Sequence, residues 1–153
     1  MRAHLSGLLV FLLLACSGPA NPHIELENAY IVAPIGGRTV SLGGLDITAI
    51  GLDAQLIGVT SPSAERIEIH TTTQAPNGQM RMRQLDEVAL APNTTLTLGP
   101  GQTHLMVFGL DSDLTVGNSI DLTLTYRQSD GSDGTVTTTA TITEFGQEPA
   151  RKR

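Results

Sequence analysis

Residues 120–142 read IDLTLTYRQSDGSDGTVTTTATI, in which two runs of strand-forming residues flank the turn-forming segment 129–134. Val, Ile, Leu and Thr dominate both runs and favour strands, while the glycines between them favour a turn. Similar runs recur through the rest of the chain, at 25–32, 39–50, 54–59, 66–72, 79–85, 94–98 and 104–110. Many short strands separated by Gly- and Pro-rich turns predict a single all-β domain, a β-sandwich or barrel.

The composition of the 153-residue chain fits one packed domain. Hydrophobic residues make up 40% and charged residues 16%, which is too apolar for a disordered chain. Aromatic residues make up only 3%, and between residues 21 and 148 five arginines stand against fifteen acidic residues, a net charge of −10. This composition disfavours nucleic acid binding, which needs basic patches and stacking aromatics. An acidic body suits a cationic ligand.

The N-terminus has the pattern of an export signal. Arg2 precedes the unbroken apolar run 8–14, which is too short for a permanent membrane span. The sequence Leu-Leu-Ala-Cys that ends at Cys16 resembles the bacterial lipobox, and Cys16 is the single cysteine of the chain. We therefore expect residues 1–15 to be a lipoprotein signal peptide and Cys16 to carry the lipid. The alternative is an ordinary signal peptide and a soluble periplasmic protein.

The same pattern predicts the compartment and the domain boundaries. We expect residues 16–23 to be a lipid-anchored tether, residues 24–146 the folded domain and residues 147–153 a solvated basic tail. Ser17 after the lipidated cysteine resembles the signal for retention at the outer membrane, so we expect a lipid-anchored periplasmic protein. That space is oxidising, and the folded domain has no thiol. Soft-metal chemistry in this domain would therefore have to use Met and His.

Histidines and methionines cluster on three predicted strands. His104 and Met106 form a His-x-Met pair, Met80 and Met82 form a Met-x-Met pair, and His70 ends a third strand. Side chains alternate between the two faces of a strand. If the aliphatic residues between these donors face the core, two imidazoles and one thioether point away from it, onto an accessible surface.

The hairpin between His70 and Met82 has two possible registers. A two-residue loop at 77–78 would place Thr73 opposite Met82, and Met82 would then share a face with Ile69 rather than with His70. A three-residue loop at 76–78 would place Thr72 opposite Met82, making His70 and Met82 diagonal neighbours about 7–8 Å apart on one face. Such loops place a left-handed residue at their end, which a glycine supplies. A shared metal site therefore requires the three-residue loop.

Imidazoles and thioethers make a soft ligand set. Thioethers suit Cu(I) and are poor ligands for magnesium, calcium or zinc. A blue-copper electron-transfer site needs a cysteine ligand in addition to two histidines, so that role is excluded for a folded domain without cysteine. No nucleophile–base arrangement or cofactor motif is evident, so we predict reversible binding and transfer of an ion rather than catalysis.

At these residues the sequence resembles the periplasmic copper chaperones of the PCu(A)C family. The family pattern is a His, an optional Met, ten residues, a Met, twenty-one residues and then His-x-Met. In this chain His70 and Thr71 precede ten residues, Met82 follows, and twenty-one residues separate Met82 from His104 and Met106. Flanking segments also resemble the family: AYIVAP at 29–34, GVTSP at 58–62 and GQTHLMVFGL at 101–110.

The resemblance implies a cupredoxin-like β-sandwich, or Greek-key barrel, that binds one Cu(I) at an exposed site. The implied ligands are His70, Met82, His104 and Met106. It also implies delivery of copper to cytochrome c oxidase, particularly to the dinuclear centre of subunit II, often beside a thiol-bearing assembly factor. Thr71 replaces the optional Met, a His/Met-rich C-terminal extension is absent, and a lipid anchor departs from the usual soluble form.

Other interpretations of the same residues compete with this one. Met80 and Met82 alternate with arginines, so both thioethers could fill the core while the arginines face water. Within the full set we favour Met82 as a ligand and Met80 as packing or an auxiliary thioether. Glu68 could shape the charge of the site or dock a partner, but we expect it to be an ordinary solvated strand position. The alternative function is a membrane-anchored β-sandwich that binds protein partners without metal.

Overall fold

A computed structural model describes residues 21–149 as ten β-strands joined by short turns. The strands are β1 His23–Val32, β2 Val40–Ile50, β3 Ala54–Thr60, β4 Ala64–Gln74, β5 Met80–Leu85, β6 Val88–Leu90, β7 Thr95–Leu98, β8 Thr103–Leu110, β9 Ser119–Gln128 and β10 Asp133–Thr143. No helix in this part of the chain is long and apolar enough to cross a membrane.

The all-β prediction is confirmed, and all nine predicted strands are present. The sequence prediction missed β6, which has only three residues and lies between Glu87 and Ala91. The predicted tether also ends earlier than expected, because His23 already pairs with Ile50 in the sheet. The predicted signal peptide, Cys16 and the last four residues lie outside the described part of the chain.

The strands form one continuous hydrogen-bonded path in the order β5-β4-β8-β2-β1-β10-β9-β3-β6, and β7 also pairs with β2. Although β3 and β4 stand far apart in this order, they lie against each other. The sheet is therefore rolled onto itself around an interior. The β5 end of the path is an edge. The predicted ligands lie on β5 and on the two strands that follow it, β4 and β8.

Aliphatic side chains from both ends of the path fill that interior. On β9, Ile120, Leu122 and Leu124 are buried while the residues between them face outward, because successive side chains of a strand point to opposite faces of the sheet. On β4 and β8, Ile69 and Leu105 join the same cluster. Their inward orientation places the alternate residues of β4 and β8 on the opposite face of the sheet, where the predicted ligands lie.

Candidate metal site

The two candidate histidines lie directly opposite each other on neighbouring strands. His70 of β4 pairs with His104 of β8 in the antiparallel register, one step from the buried pair of Ile69 and Leu105. Side chains of directly opposed residues leave the sheet on the same face, with Cβ atoms about 4.5–5.5 Å apart. The sheet therefore brings together two imidazoles that are 34 positions apart in the sequence.

The β4–β5 hairpin has the three-residue loop that a shared site requires. The amide of Ala75 donates to the carbonyl of Gln79 at 2.8 Å, and Gly78 lies between them with φ of 82°. A left-handed backbone of this kind costs a non-glycine residue about 1–2 kcal/mol. Thr72 accordingly pairs with Met82, so Met82 is a diagonal neighbour of His70 on the same face.

Met106 completes the set from the other side of His70. It pairs with Glu68 and lies two residues from His104 on β8, so it is the second diagonal neighbour of His70. All four predicted ligands therefore project from one face of three adjacent strands, in the order β5, β4, β8. Their role as metal ligands stays a prediction.

The spacing of the two rings suits one shared ion. Their centroids are 6.3 Å apart, with an angle of 43° between the ring planes. A metal–imidazole bond is about 2.0–2.1 Å and a ring nitrogen lies about 1.1 Å from its centroid, so rings that share an ion have centroids at most about 6.4 Å apart. The observed separation lies just below that limit, so both rings are within reach of one shared ion.

Each ring has one nitrogen with a hydrogen bond and one without. Nε2 of His70 lies 2.8 Å from the Glu68 carboxylate, and Nδ1 of His104 lies 2.9 Å from the carbonyl of Gln102. The remaining nitrogens, Nδ1 of His70 and Nε2 of His104, are buried and have no hydrogen-bond partner. Buried polar atoms are almost always satisfied, so two unsatisfied nitrogens on neighbouring rings point to a ligand.

His104 is not on the accessible surface, which corrects the prediction from alternation. It is only 2% exposed, and Tyr30 and Asp46 are buried on the same face of the neighbouring strands. The ring of Tyr30 lies across Gly44, which is level with His104 along β2. Alternation assigns a residue to a face, but it does not tell which face the rest of the chain covers.

The two methionines of β5 do not fill the core, so that interpretation is wrong. Met82 is 51% exposed and Met80 is 60% exposed. Met80 pairs with Gln74, one further step from the histidines on the same face. Met82 is therefore the thioether next to His70, and Met80 lies farther along the free edge of the sheet.

Glu68 is more than a solvated strand position. Its side chain is only 17% exposed, and its carboxylate accepts hydrogen bonds from both His70 and Arg66. The hydrogen bond with His70 and the one with Arg66 lower the pKa of this carboxyl, although burial opposes them. The Arg66 guanidinium in turn lies 4.1 Å above the ring of Phe108. In sequence, only the i, i+2 spacing of Glu68 and His70 hinted at this contact.

Hard donors do not gather elsewhere to form a competing site. Among residues 21–149, no group of three or more His, Cys, Asp and Glu side chains is placed to hold a metal ion. The histidine pair has thioethers beside it and one carboxylate, Glu68, whose two oxygens are already hydrogen-bonded to His70 and Arg66. The imidazoles and thioethers suit a soft monovalent ion.

The chain matches one family and one relative whose names both contain the words "Putative lipoprotein". Residues 24–142 match the family described as "Putative lipoprotein LpqE-like". The relative "Putative lipoprotein Lxx21020" of Leifsonia xyli subsp. xyli is 30% identical over 113 residues, which cover 74% of this chain and 66% of that relative. The match therefore spans slightly less than two thirds of the relative's length.

Solved structures share the fold. The copper-bound PCuAC domain of PmoF2 superposes with a TM-score of 0.62 at 21% identity, covering 81% of this chain and 98% of that domain. The structure of the Cu(I) form of DR1885 from Deinococcus radiodurans gives 0.57 at 24% identity, with 78% and 76% covered. The predicted cupredoxin-like fold and the resemblance to PCu(A)C domains are confirmed at the level of the fold.

Proposed function

The chain belongs to the LpqE-like lipoprotein family, and from this membership, the fold and the geometry of the site we propose that it is an extracytoplasmic copper chaperone. It binds one Cu(I) through His70, Met82, His104 and Met106 and passes the ion to another protein. Copper is its cargo, and no reaction is catalysed.

One observation carries this proposal: two rings with centroids 6.3 Å apart each have a buried imidazole nitrogen without a hydrogen-bond partner in the protein. Leaving such an atom unsatisfied costs about 1–3 kcal/mol. Two of them on directly opposed residues, with a thioether diagonal to His70 on each side, make up the donor set of a soft-metal site. An ion at this place would satisfy both nitrogens at once.

The donor types favour the monovalent state. Met and neutral His carry no negative charge, and thioethers select Cu(I) over magnesium, calcium and zinc. Neither donor is consumed by disulfide formation, so the set tolerates an oxidising compartment. The acidic body compensates for the positive charge of the ion at longer range.

Transfer of the ion would start at the edge of the sheet. Met82 lies on the outermost strand of the site and is half exposed, so an incoming ligand can replace it without disturbing the core. We propose a respiratory oxidase copper centre, such as that of cytochrome c oxidase subunit II, or a thiol-bearing assembly factor as the acceptor. A thiolate is a stronger soft ligand than a thioether and would draw Cu(I) away.

We propose a lipid-anchored location in the periplasm, at the outer membrane. The sequence pattern around Cys16 and the lipoprotein names of the family and of the matched relative support it. The short segment between Cys16 and β1 would keep the folded domain near the membrane that holds the lipid.

The test is a titration of the purified mature protein with Cu(I) in competition with a colorimetric chelator. We expect one equivalent to bind. Met82→Leu is expected to weaken binding, whereas Met80→Leu, a matched change on the same face of the same strand, is expected to leave it unchanged. A folded protein that takes up no Cu(I), or equal losses in the two variants, would contradict the proposal.

A further inference from the structure

We propose that Glu68 is a positioning residue that commits Nδ1 of His70 to the metal. This inference rests on the proposed function. The Glu68 carboxylate accepts a hydrogen bond from Nε2–H of His70 and so fixes the orientation of the ring. The lone pair of Nδ1 is then left free to bind the ion. His104 is held in the opposite sense and offers Nε2.

The contact between Glu68 and His70 fixes the tautomer. Glu68 Oε2 lies 2.8 Å from His70 Nε2, and both residues project from the same face of β4. An ionised carboxylate only accepts hydrogen bonds, so the proton of a neutral imidazole in this contact lies on Nε2. The bare nitrogen is then Nδ1, which is the buried atom without a partner.

The second carboxylate oxygen is also engaged, so Glu68 cannot turn to become a ligand itself. Arg66 Nε donates to Oε1 at 2.7 Å, and the Arg66 guanidinium stacks on Phe108. A guanidinium offers donors in a rigid planar arrangement and packs well on aromatic faces. Three contacts on one face of the sheet thus lead to the candidate ligand. Phe108 packs on Arg66, Arg66 donates to Glu68, and Glu68 accepts from His70.

This arrangement suits a positively charged cargo held by neutral ligands. The carboxylate places a negative charge next to the first coordination sphere without adding a hard oxygen ligand that would favour other ions. Ligating histidines in proteins usually donate their other N–H to a carboxylate or a carbonyl, and loss of that partner costs about 10- to 100-fold in metal affinity. His70 uses the carboxylate and His104 uses the carbonyl of Gln102.

The chain contains a matched control for Glu68. Glu25 accepts a hydrogen bond from Nε2 of His23 at 3.1 Å with the same i, i+2 spacing, but this pair is exposed and lies on β1, away from the site. A change at Glu25 removes an equivalent contact without touching the candidate ligands. Any general effect of losing one surface carboxylate would appear in both variants.

The experiment compares Glu68→Leu, Glu68→Gln and Glu25→Leu with the wild-type protein. The ¹⁵N shifts of the histidine side chains are measured without metal, and Cu(I) affinity is then measured by chelator competition. We expect Glu68→Leu to move the His70 ¹⁵N shifts and to weaken Cu(I) binding about 10- to 100-fold. Glu68→Gln, which keeps an acceptor but loses the charge, should weaken binding less. Glu25→Leu should change only His23.

The two readouts separate this inference from the copper function. Wild-type protein that binds Cu(I), with His70 shifts and affinity unchanged in a folded Glu68→Leu variant, would refute the role of Glu68 alone. Wild-type protein that binds no Cu(I) would refute the copper function. If its His70 shifts still depend on Glu68, the contact between Glu68 and His70 in the metal-free protein would nevertheless be confirmed. The amide spectrum of each variant shows whether the fold is retained.

Discussion

Replacing His104 with leucine is expected to abolish tight Cu(I) binding while leaving the metal-free protein about as stable as the wild type or more stable. His104 is 2% exposed, and its Nε2 is buried without a partner. Replacing a residue that is buried this deeply ordinarily destabilises the protein. Here the native imidazole contains a buried nitrogen without a hydrogen-bond partner, and leucine, which is similar in size, has no such polar atom.

The magnitude follows from the contacts of the ring. Relieving one unsatisfied buried nitrogen gains about 1–3 kcal/mol, and losing the hydrogen bond to Gln102 costs about 0.5–1.5 kcal/mol. The Gln102 carbonyl also accepts a hydrogen bond from the amide of Thr72 at 3.3 Å, so it keeps one donor when the imidazole is removed. The free energy of unfolding of metal-free His104→Leu is therefore expected to differ from that of the wild type by between about −0.5 and about 2.5 kcal/mol, where positive values mean a more stable variant.

Urea unfolding with and without Cu(I) checks both parts of this prediction. At a free Cu(I) concentration of 100 times Kd, binding should stabilise the wild type by about 2.7 kcal/mol, and that increment should vanish in the variant. His23→Leu, a change outside the site, serves as the control and should keep the increment. A metal-free His104→Leu variant that loses about 3 kcal/mol or more would refute the reasoning, because the imidazole would then be a packing group rather than a reserved ligand.

Three further predictions concern residues outside the proposed ligand set. Gly44→Ala should destabilise the protein by about 1–3 kcal/mol in thermal or urea unfolding, because its Cβ would lie 2.2 Å from a backbone carbonyl and 2.8 Å from the Tyr30 hydroxyl. Gly78→Ala should cost about 1–2 kcal/mol in urea unfolding, because its φ is 82°. The hydrogen bond from Arg127 lowers the pKa of Asp133, so this pair stabilises the fold above the unfolded-state pKa and loses its effect as pH falls through the folded value. Arg127→Gln should raise the Asp133 pKa in an NMR titration.

Local sequence signals were enough to predict nine of the ten strands and to reduce the hairpin to two registers, of which a shared metal site requires the one observed. The glycine at position 78 fits the left-handed position of a three-residue loop, and that loop alone brings Met82 to the face of His70. Alternation around Ile69 and Leu105 then placed both histidines on the other face. Each of these inferences uses spacing along one strand or one turn, which the sequence states directly.

The burial and hydrogen bonding of the site depend on distant residues and could not be predicted this way. His104 is buried where Tyr30, 74 positions earlier, lies across the sheet. The choice of nitrogen on each ring depends on a side-chain rotamer at His70 and on a backbone carbonyl at Gln102, and a carbonyl has no sequence signature. Likewise β6 is too short for its pattern to stand out from a turn.

Exposure rises across the site from the middle of the sheet to its edge, and this gradient suits a carrier better than a permanent metal centre. His104 on β8 is 2% exposed, the His70 side chain on β4 is 16% exposed, and Met82 on the edge strand β5 is 51% exposed. An ion held by all three has one fixed ligand in the interior and one replaceable ligand at the surface. In the proposed chaperone, ligand exchange would therefore begin at Met82 while the histidines still hold the ion, so that Cu(I) would not be free in solution at any stage of transfer.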